Sequence, residues 1–313
     1  ESIKELYLLP LFSGITEETL IPIAGMLKEE SFKTGQLVIK EGDPADFFYI
    51  LRSGELEVRK IINRKTGKHK TLAILEEGDV FGEMAIFGRE VRTADVITLK
   101  DSLLWRVDFE DFFSLLNSDH KIGVQLLKAM ITILISRLKA TNQELTTLYE
   151  VSRIISSTRN IPHLTGMVFD QIMRDIEPAG AGFLAVWNRF NGEFDILHSV
   201  NLSKEHHLTM NDPLIVELLE KMSPVMVKDI SEKPDLEERF YTGRSMLISP
   251  MIYNEELVGL ISLIHFSKRK AFTYSQMVLL ADICTHLASV LKNIEREQED
   301  LQRDRLTQQK VYY

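Results

Sequence analysis

A chain of 313 residues is about twice the length of an ordinary domain, so two domains with separate cores are expected. Its 44% hydrophobic and 27% charged residues are globular values, and no unbroken apolar run of about 18 residues offers a span, so no membrane partner is expected. The net charge of −9 argues against nucleic acid as a partner, and the lone Cys284 excludes an internal disulfide framework and fits a reducing, cytoplasmic setting.

The chain opens at Glu1 rather than Met and carries no signal or transit leader, which predicts a piece of a longer protein. Thr16 can cap a first helix reaching Lys28. Short runs at 36–40, 47–52, 55–62, 70–74, 94–98 and 102–107, divided by glycine-bearing turns, predict an all-β barrel or sandwich. The basic segment Arg64-Lys65-Thr66-Gly67-Lys68-His69-Lys70 falls between two of these strands and reads as a solvated hairpin turn. Asp108 can cap a helix that begins at Phe109.

A periodic signal follows. Leu127, Ile131, Leu134, Leu138, Thr141, Leu145, Leu148, Ser152 and Ile155 alternate four-residue and three-residue steps, the seam of a left-handed coiled coil. A parallel homodimer is expected; the alternative is one long helix packed on its own domain.

After Asn160 the pattern is α+β. Helices are expected at 163–176 and 213–222, and strands at 182–188, 193–200, 246–253 and 257–266, the last two flanking the tight turn Asn254-Glu255-Glu256. Thr273 and Gln276 form a capping box for a last helix. That helix runs through Leu287, Leu291, Ile294 and Leu301 into a charged tail.

The chemistry is concentrated in Phe81-Gly82-Glu83-Met84-Ala85-Ile86-Phe87-Gly88-Arg89-Glu90-Val91-Arg92-Thr93-Ala94. One loop supplies a carboxylate, a short turn of backbone amides, and an arginine followed by a hydroxyl. A phosphate calls for N–H donors and a guanidinium, and a ribose hydroxyl calls for a carboxylate acceptor.

This segment resembles the phosphate-binding cassette of the cyclic nucleotide-binding domain family, with Phe-Gly-Glu, a small apolar stretch and Arg-(Ala/Ser/Thr)-Ala. The likeness runs from Leu6 to about Asn142 and includes the Gly42-Asp43 turn. It implies that Glu83 accepts from the ribose 2′-hydroxyl and that Phe81, Gly82, Met84 and Ala85 line the sugar-phosphate. It also implies that Arg92 pairs with the cyclic phosphate. Thr93 is compatible with cyclic GMP. Thr141 and Asn142 fall where the similar bacterial catabolite activators place hydroxyls against adenine, so cyclic AMP is favoured over cyclic GMP.

Ser249-Pro250-Met251, Leu257-Val258-Gly259-Leu260 and Phe272-Thr273, with the element order around them, resemble the GAF domain family over about 145–293. Cys284 is expected in the core rather than at a chromophore, and adjacent His206-His207 in a solvated loop rather than on a metal. No cofactor is required, and a GAF ligand is left unknown.

The expected architecture is a multidomain α+β chain, with an N-terminal β jelly-roll barrel, a long coiled-coil connector helix and a C-terminal α/β GAF-like sandwich. Its domains are 1–125 for the nucleotide, 126–158 for the connector, 159–293 for the GAF domain and 294–313 for a signalling helix. No P-loop, zincin helix, nucleophile elbow or kinase signature is present, so no enzymatic activity is expected. The expected function is a sensor that relays nucleotide binding through the connector to the GAF domain and on to an effector protein or an output domain beyond Tyr313. The alternatives are a transcriptional regulator of the catabolite-activator kind, or a dimeric scaffold with a degenerate pocket.

Overall fold

The structure, a computed structural model, describes residues 2–12, 17–63, 68–88, 91–118, 120–176, 179–202, 208–236 and 239–310. Thr16, Arg64–Gly67, Arg89, Glu90, His206 and His207 lie outside the described residues. The chain divides into two compact units, 1–140 and 141–313.

In the first unit α1 (Ser2–Leu8) and α2 (Glu17–Met26) precede β1 (Lys28–Phe32), β2 (Leu37–Ile39), β3 (Phe47–Ser53), β4 (Leu56–Asn63), β5 (Lys68–Leu75) and β6 (Val80–Phe81). A single turn, α3 (Ala85–Gly88), leads to β7 (Asp95–Thr98), β8 (Ser102–Asp108) and α4 (Phe109–Ser118). The strands make two four-stranded antiparallel sheets, ordered β1-β8-β3-β6 and β2-β7-β4-β5, in a jelly-roll arrangement.

Strand β3 shows why the run Phe47-Phe48-Tyr49-Ile50-Leu51 is apolar at every position. Phe48 and Ile50 face a core shared with the helices, alongside Leu20, Trp105, Phe112 and Leu126. Tyr49 and Leu51 face a second core with Leu56, Phe81, Val96 and Leu104. Both faces of the strand are covered, so neither carries a polar alternate.

The helix expected to reach Lys28 stops at Met26, and residues Lys28–Phe32 pair with β8 instead, Lys28 opposite Arg106 and Phe32 opposite Ser102. The Lys28 amine pairs with Asp108 across this ladder. Strand pairing and the ion pair together override the local helical pattern.

Helix α5 (His120–Ser157) is a single element of 38 residues. Ile122, Leu126 and Met130 belong to the first unit's helical core. Val151, Ile154 and Ile155 belong to the core of the second unit. On the same helix Val124, Ile131, Leu138 and Leu145 are exposed at seven-residue intervals, Leu138 and Leu145 by 60% each. Of the expected seam, Ile131, Leu138, Thr141 and Leu145 are exposed, Leu127 and Leu134 are half-buried, and Leu148 and Ile155 pack in the core of the second unit.

The second unit continues with α6 (Ile161–Asp175), β9 (Ala181–Asn188), β10 (Glu193–Val200), β11 (Leu208–Thr209), α7 (Pro213–Lys221), β12 (Val225–Val227), β13 (Ser245–Tyr253), β14 (Glu256–His265) and α8 (Tyr274–Lys310). Its antiparallel sheet is ordered β11-β10-β9-β14-β13-β12. One face packs on α6, α8 and the end of α5 through Leu164, Phe169, Leu247, Ile261, Leu280 and Leu287. The other packs under α7 through Phe183, Leu214, Leu218, Tyr241, Ile248 and Leu260.

Asn160, to which the sequence pattern gave no capping role, caps α6 by accepting from His163 N at 2.9 Å, and the helix starts at Ile161 rather than His163. Local signals read from the sequence reappear here as bonds. The capping box closes with Thr273 N donating to Gln276 Oε1 at 2.9 Å and Gln276 N to Thr273 Oγ1 at 3.3 Å. Asn254 and Glu255 both take positive φ, 49° and 65°, in the β13–β14 turn. Helix α8 is long and apolar enough to cross a membrane, yet Leu280, Ile283, Leu287 and Leu291 are fully buried in this domain. Cys284 is buried in the same core, and burial pushes its thiol up to about 12.

Candidate functional site

Phe81 ends β6, opposite Tyr49 of β3, with the two rings 5.4 Å apart. The chain then turns at Gly82 with φ of 78°. A Cβ on Gly82 would stand 2.7 Å from Arg92 Nη1 and 3.2 Å from Ile39, so both the conformation and the close approach require glycine. Glu83 follows, then exposed Met84, then Ala85, buried at the start of α3.

Arg92 is delivered from the other side of the loop. Its backbone is clasped by the Gly42-Asp43 turn: Gly42 N donates to Arg92 O and Arg92 N to Asp43 O, each at 2.9 Å. Gly42 has φ of 91°, which lets the turn close. The Arg92 side chain donates from Nη1 to Gly82 O at 3.1 Å and from Nη2 to Phe47 O at 2.8 Å. It is only 5% exposed. Among the described residues no carboxylate lies within ion-pair distance of it. Burial pulls its affinity for the proton down, with Asp46 nearby working in the opposite direction.

Glu83 is 3% exposed, and burial raises its pKa above the usual glutamate value. The opposing influence is Arg137 of α5, whose Nη1 donates to Glu83 Oε1 at 2.6 Å and whose Nη2 donates to Val80 O at 2.6 Å. Asp79, also raised by burial, lies in the same field of Arg137. The loop thus holds a buried guanidinium answered by carbonyl oxygens, next to a buried carboxylate answered by a cation on the long helix. An anion suits the first and a hydroxyl donor suits the second.

Six of the expected site residues, Phe81, Gly82, Glu83, Met84, Ala85 and Arg92, fall in one loop of the first unit. Thr93 follows them, exposed, before β7. Thr141 and Asn142 are helical and exposed, one turn beyond Arg137 on α5, where the division between the units falls. Arg137 itself went unread in the sequence. Its signal was a cation four residues before Thr141, on a helix read for its apolar seam and for Thr141 and Asn142 but not for its cations.

In the second unit a cavity of about 210 Å³ is lined by Arg189, Lys292 and Arg296 and by Glu256, Glu295 and Glu299. Three cations face three carboxylates, so its charge selects no ligand. Among the described residues no group of three His, Cys, Asp or Glu side chains is placed to hold a metal.

The family model for the cyclic nucleotide-binding domain matches residues 29–119, and that for the GAF domain matches residues 165–291. The chain carries a cyclic nucleotide-binding domain followed by a GAF domain, both regulatory types. It is 35% identical over 88 residues to a cGMP-dependent protein kinase, isozyme 2, of Drosophila melanogaster, covering 28% of this chain and 9% of the kinase. It is 28% identical over 135 residues to a CRP-like cAMP-activated global transcriptional regulator of Mycobacterium tuberculosis, covering 43% of this chain and 58% of the regulator. A catabolite activator protein structure from Thermus thermophilus aligns with TM-score 0.41 and 22% identity, over 50% of this chain and 71% of that one. The chain therefore spans only part of the length of these relatives.

Proposed function

We propose that the chain is a cytoplasmic cyclic nucleotide sensor, without catalytic activity of its own, that relays binding along α5 to its GAF domain and on to an effector. The observation that carries this reading is Arg92: a guanidinium 5% exposed, with no ion-pair partner among the described residues, beside the buried acceptor Glu83. In this reading the cyclic phosphate supplies the missing anion and the ribose 2′-hydroxyl donates to Glu83. The backbone of Gly82, Met84 and Ala85 lines the sugar-phosphate, Phe81 supports the turn, and Thr93 adds a hydroxyl. Thr141 and Asn142 are assigned to the base, which favours cyclic AMP over cyclic GMP; the relatives' names include both nucleotides.

The relay follows from Arg137. A ribose hydroxyl on Glu83 competes with the Arg137 guanidinium for the same carboxylate, so occupancy alters a contact that holds α5 to the cassette. The exposed stripe Val124, Ile131, Leu138 and Leu145 supports a parallel homodimer. A regulator of the catabolite-activator kind is set aside because residues 165–291 after the long helix match a GAF domain.

The test is isothermal titration of the full chain with cyclic AMP and cyclic GMP beside Arg92→Ala. Truncating one partner of a desolvated charge pair costs about 2–5 kcal/mol, so the variant is expected to show no measurable heat. Equal binding by Arg92→Ala and the native chain, or no heat with either nucleotide, would overturn the proposal.

A further inference from the structure

Arg92 is buried without a counter-ion among the described residues, so something other than charge pairing must fix its guanidinium before an anion arrives. Two bonds to carbonyl oxygens locate it in part. The third support is aromatic: the Arg92 guanidinium lies over the Phe47 ring, 4.4 Å from its centroid. The same residue therefore holds Arg92 twice, through its carbonyl and through its ring.

The ring is itself fixed. Arg106 of β8 lies over it at 4.0 Å from the centroid. Arg106 is anchored in turn by Asp108, with Nε to Oδ1 at 2.7 Å, and by Glu30 at 3.8 Å. Tyr49 meets Phe47 edge-on at 5.0 Å and donates its hydroxyl to Glu30 at 2.7 Å. The ring thus contacts both an anchored arginine and one without an anionic partner among the described residues. Its π system attracts both cations, that of Arg92 where water is largely excluded and that of the more exposed Arg106 less strongly.

We infer that Phe47 is a positioning residue for the nucleotide phosphate, its ring holding the Arg92 guanidinium in the orientation that receives the anion. This rests on the sensor reading above and deepens it. Of the five N–H donors on a guanidinium, two are committed to Gly82 O and Phe47 O, and the ring fixes the plane from which the remaining donors project. A side chain of similar volume but without a π face fills the space and leaves that plane free to tilt. The cost then appears on ligand binding more than on folding.

The experiment is titration of full-length Phe47→Leu and Phe47→Tyr with cyclic AMP and cyclic GMP, beside a series with progressively fluorinated phenylalanine at position 47. Fluorination keeps the shape of the ring and drains its face of charge. Affinity is expected to fall about 3- to 30-fold in Phe47→Leu, to stay within about 2-fold of native in Phe47→Tyr, and to decline stepwise with fluorine number. Native affinity in Phe47→Leu, or equal affinity across the fluorinated series, overturns the inference while leaving the sensor reading intact. A native chain that binds neither nucleotide overturns the sensor reading and removes this role with it.

Discussion

Replacing Arg137 with methionine removes the only cation that directly bonds the Glu83 carboxylate among the described residues. Glu83 is left 3% exposed and without a counter-charge. Breaking a fully buried pair by removing one partner costs about 3–5 kcal/mol. The Arg137 side chain is 40% exposed, which screens the pair and brings the expected loss to about 1–3 kcal/mol.

The pH dependence has a definite sign. Burial already raises the Glu83 pKa above its unfolded value, and losing Arg137 raises it further, so the ionised carboxylate is what burdens the folded variant. The destabilisation is largest near pH 7.5 and fades as acid neutralises Glu83. Trp105 is buried in the first unit and Trp187 lies in the second, so Trp187→Phe makes tryptophan fluorescence a reporter of the first unit alone. Denaturant unfolding in that background should show Arg137→Met destabilised, with Glu83→Gln/Arg137→Met recovering most of the loss because the buried Glu83 charge is removed along with its partner. Equal midpoints for Arg137→Met and its parent at pH 7.5, or a loss that does not change between pH 7.5 and pH 5, would refute the reasoning.

Nucleotide affinity should weaken on acidification, beginning at a pH above the ordinary glutamate value, because the raised Glu83 loses its ionised acceptor early; titrations from pH 7.5 to pH 5 measure this, and Glu83→Gln should show a flat profile. Gly82→Ala should lose most nucleotide affinity, since its methyl meets Arg92 Nη1 at 2.7 Å and a φ of 78° strains any side chain; calorimetry checks it, and native affinity would contradict the geometry. Leu138→Glu places a charge on the exposed stripe and should convert a dimer to monomer in sedimentation velocity; an unchanged sedimentation coefficient would remove the stripe from the interface.

The cassette was legible because its residues are close in sequence: Gly82, Glu83 and Arg92 sit within one loop, and their chemistry is complete in the linear order. Arg137 and Phe47 were not, because they reach the loop from 54 and 45 residues away, and only the packing of α5 and β3 brings them there. Local signals such as the Thr273–Gln276 box were read correctly for the same reason the cassette was. Strand β1 was not among the expected strands, and its first residue, Lys28, was given to the preceding helix, because its partner β8 lies seventy or more residues on, beyond any local pattern. Strand β6, with two residues, has no periodicity of its own and exists through Tyr49 and Ile50. The seam on α5 marked an apolar face without saying what covers it. For Ile155 the cover is its own core, whereas Ile131, Leu138 and Leu145 face outward.

Helix α5 contains neither glycine nor proline from Val124 to Ser157, so the commonest sequence causes of a kink are missing from that stretch. In the proposed relay such a helix would carry information as phase. Each residue added between Leu138 and Leu145 turns everything downstream by about 100° and advances it by about 1.5 Å. Seven extra residues, about two turns, nearly restore the original angle, while two reverse it. Signalling through such a helix should depend on the rotational remainder of an insertion more than on its length, so spacers of seven would be silent where spacers of two invert or abolish the response.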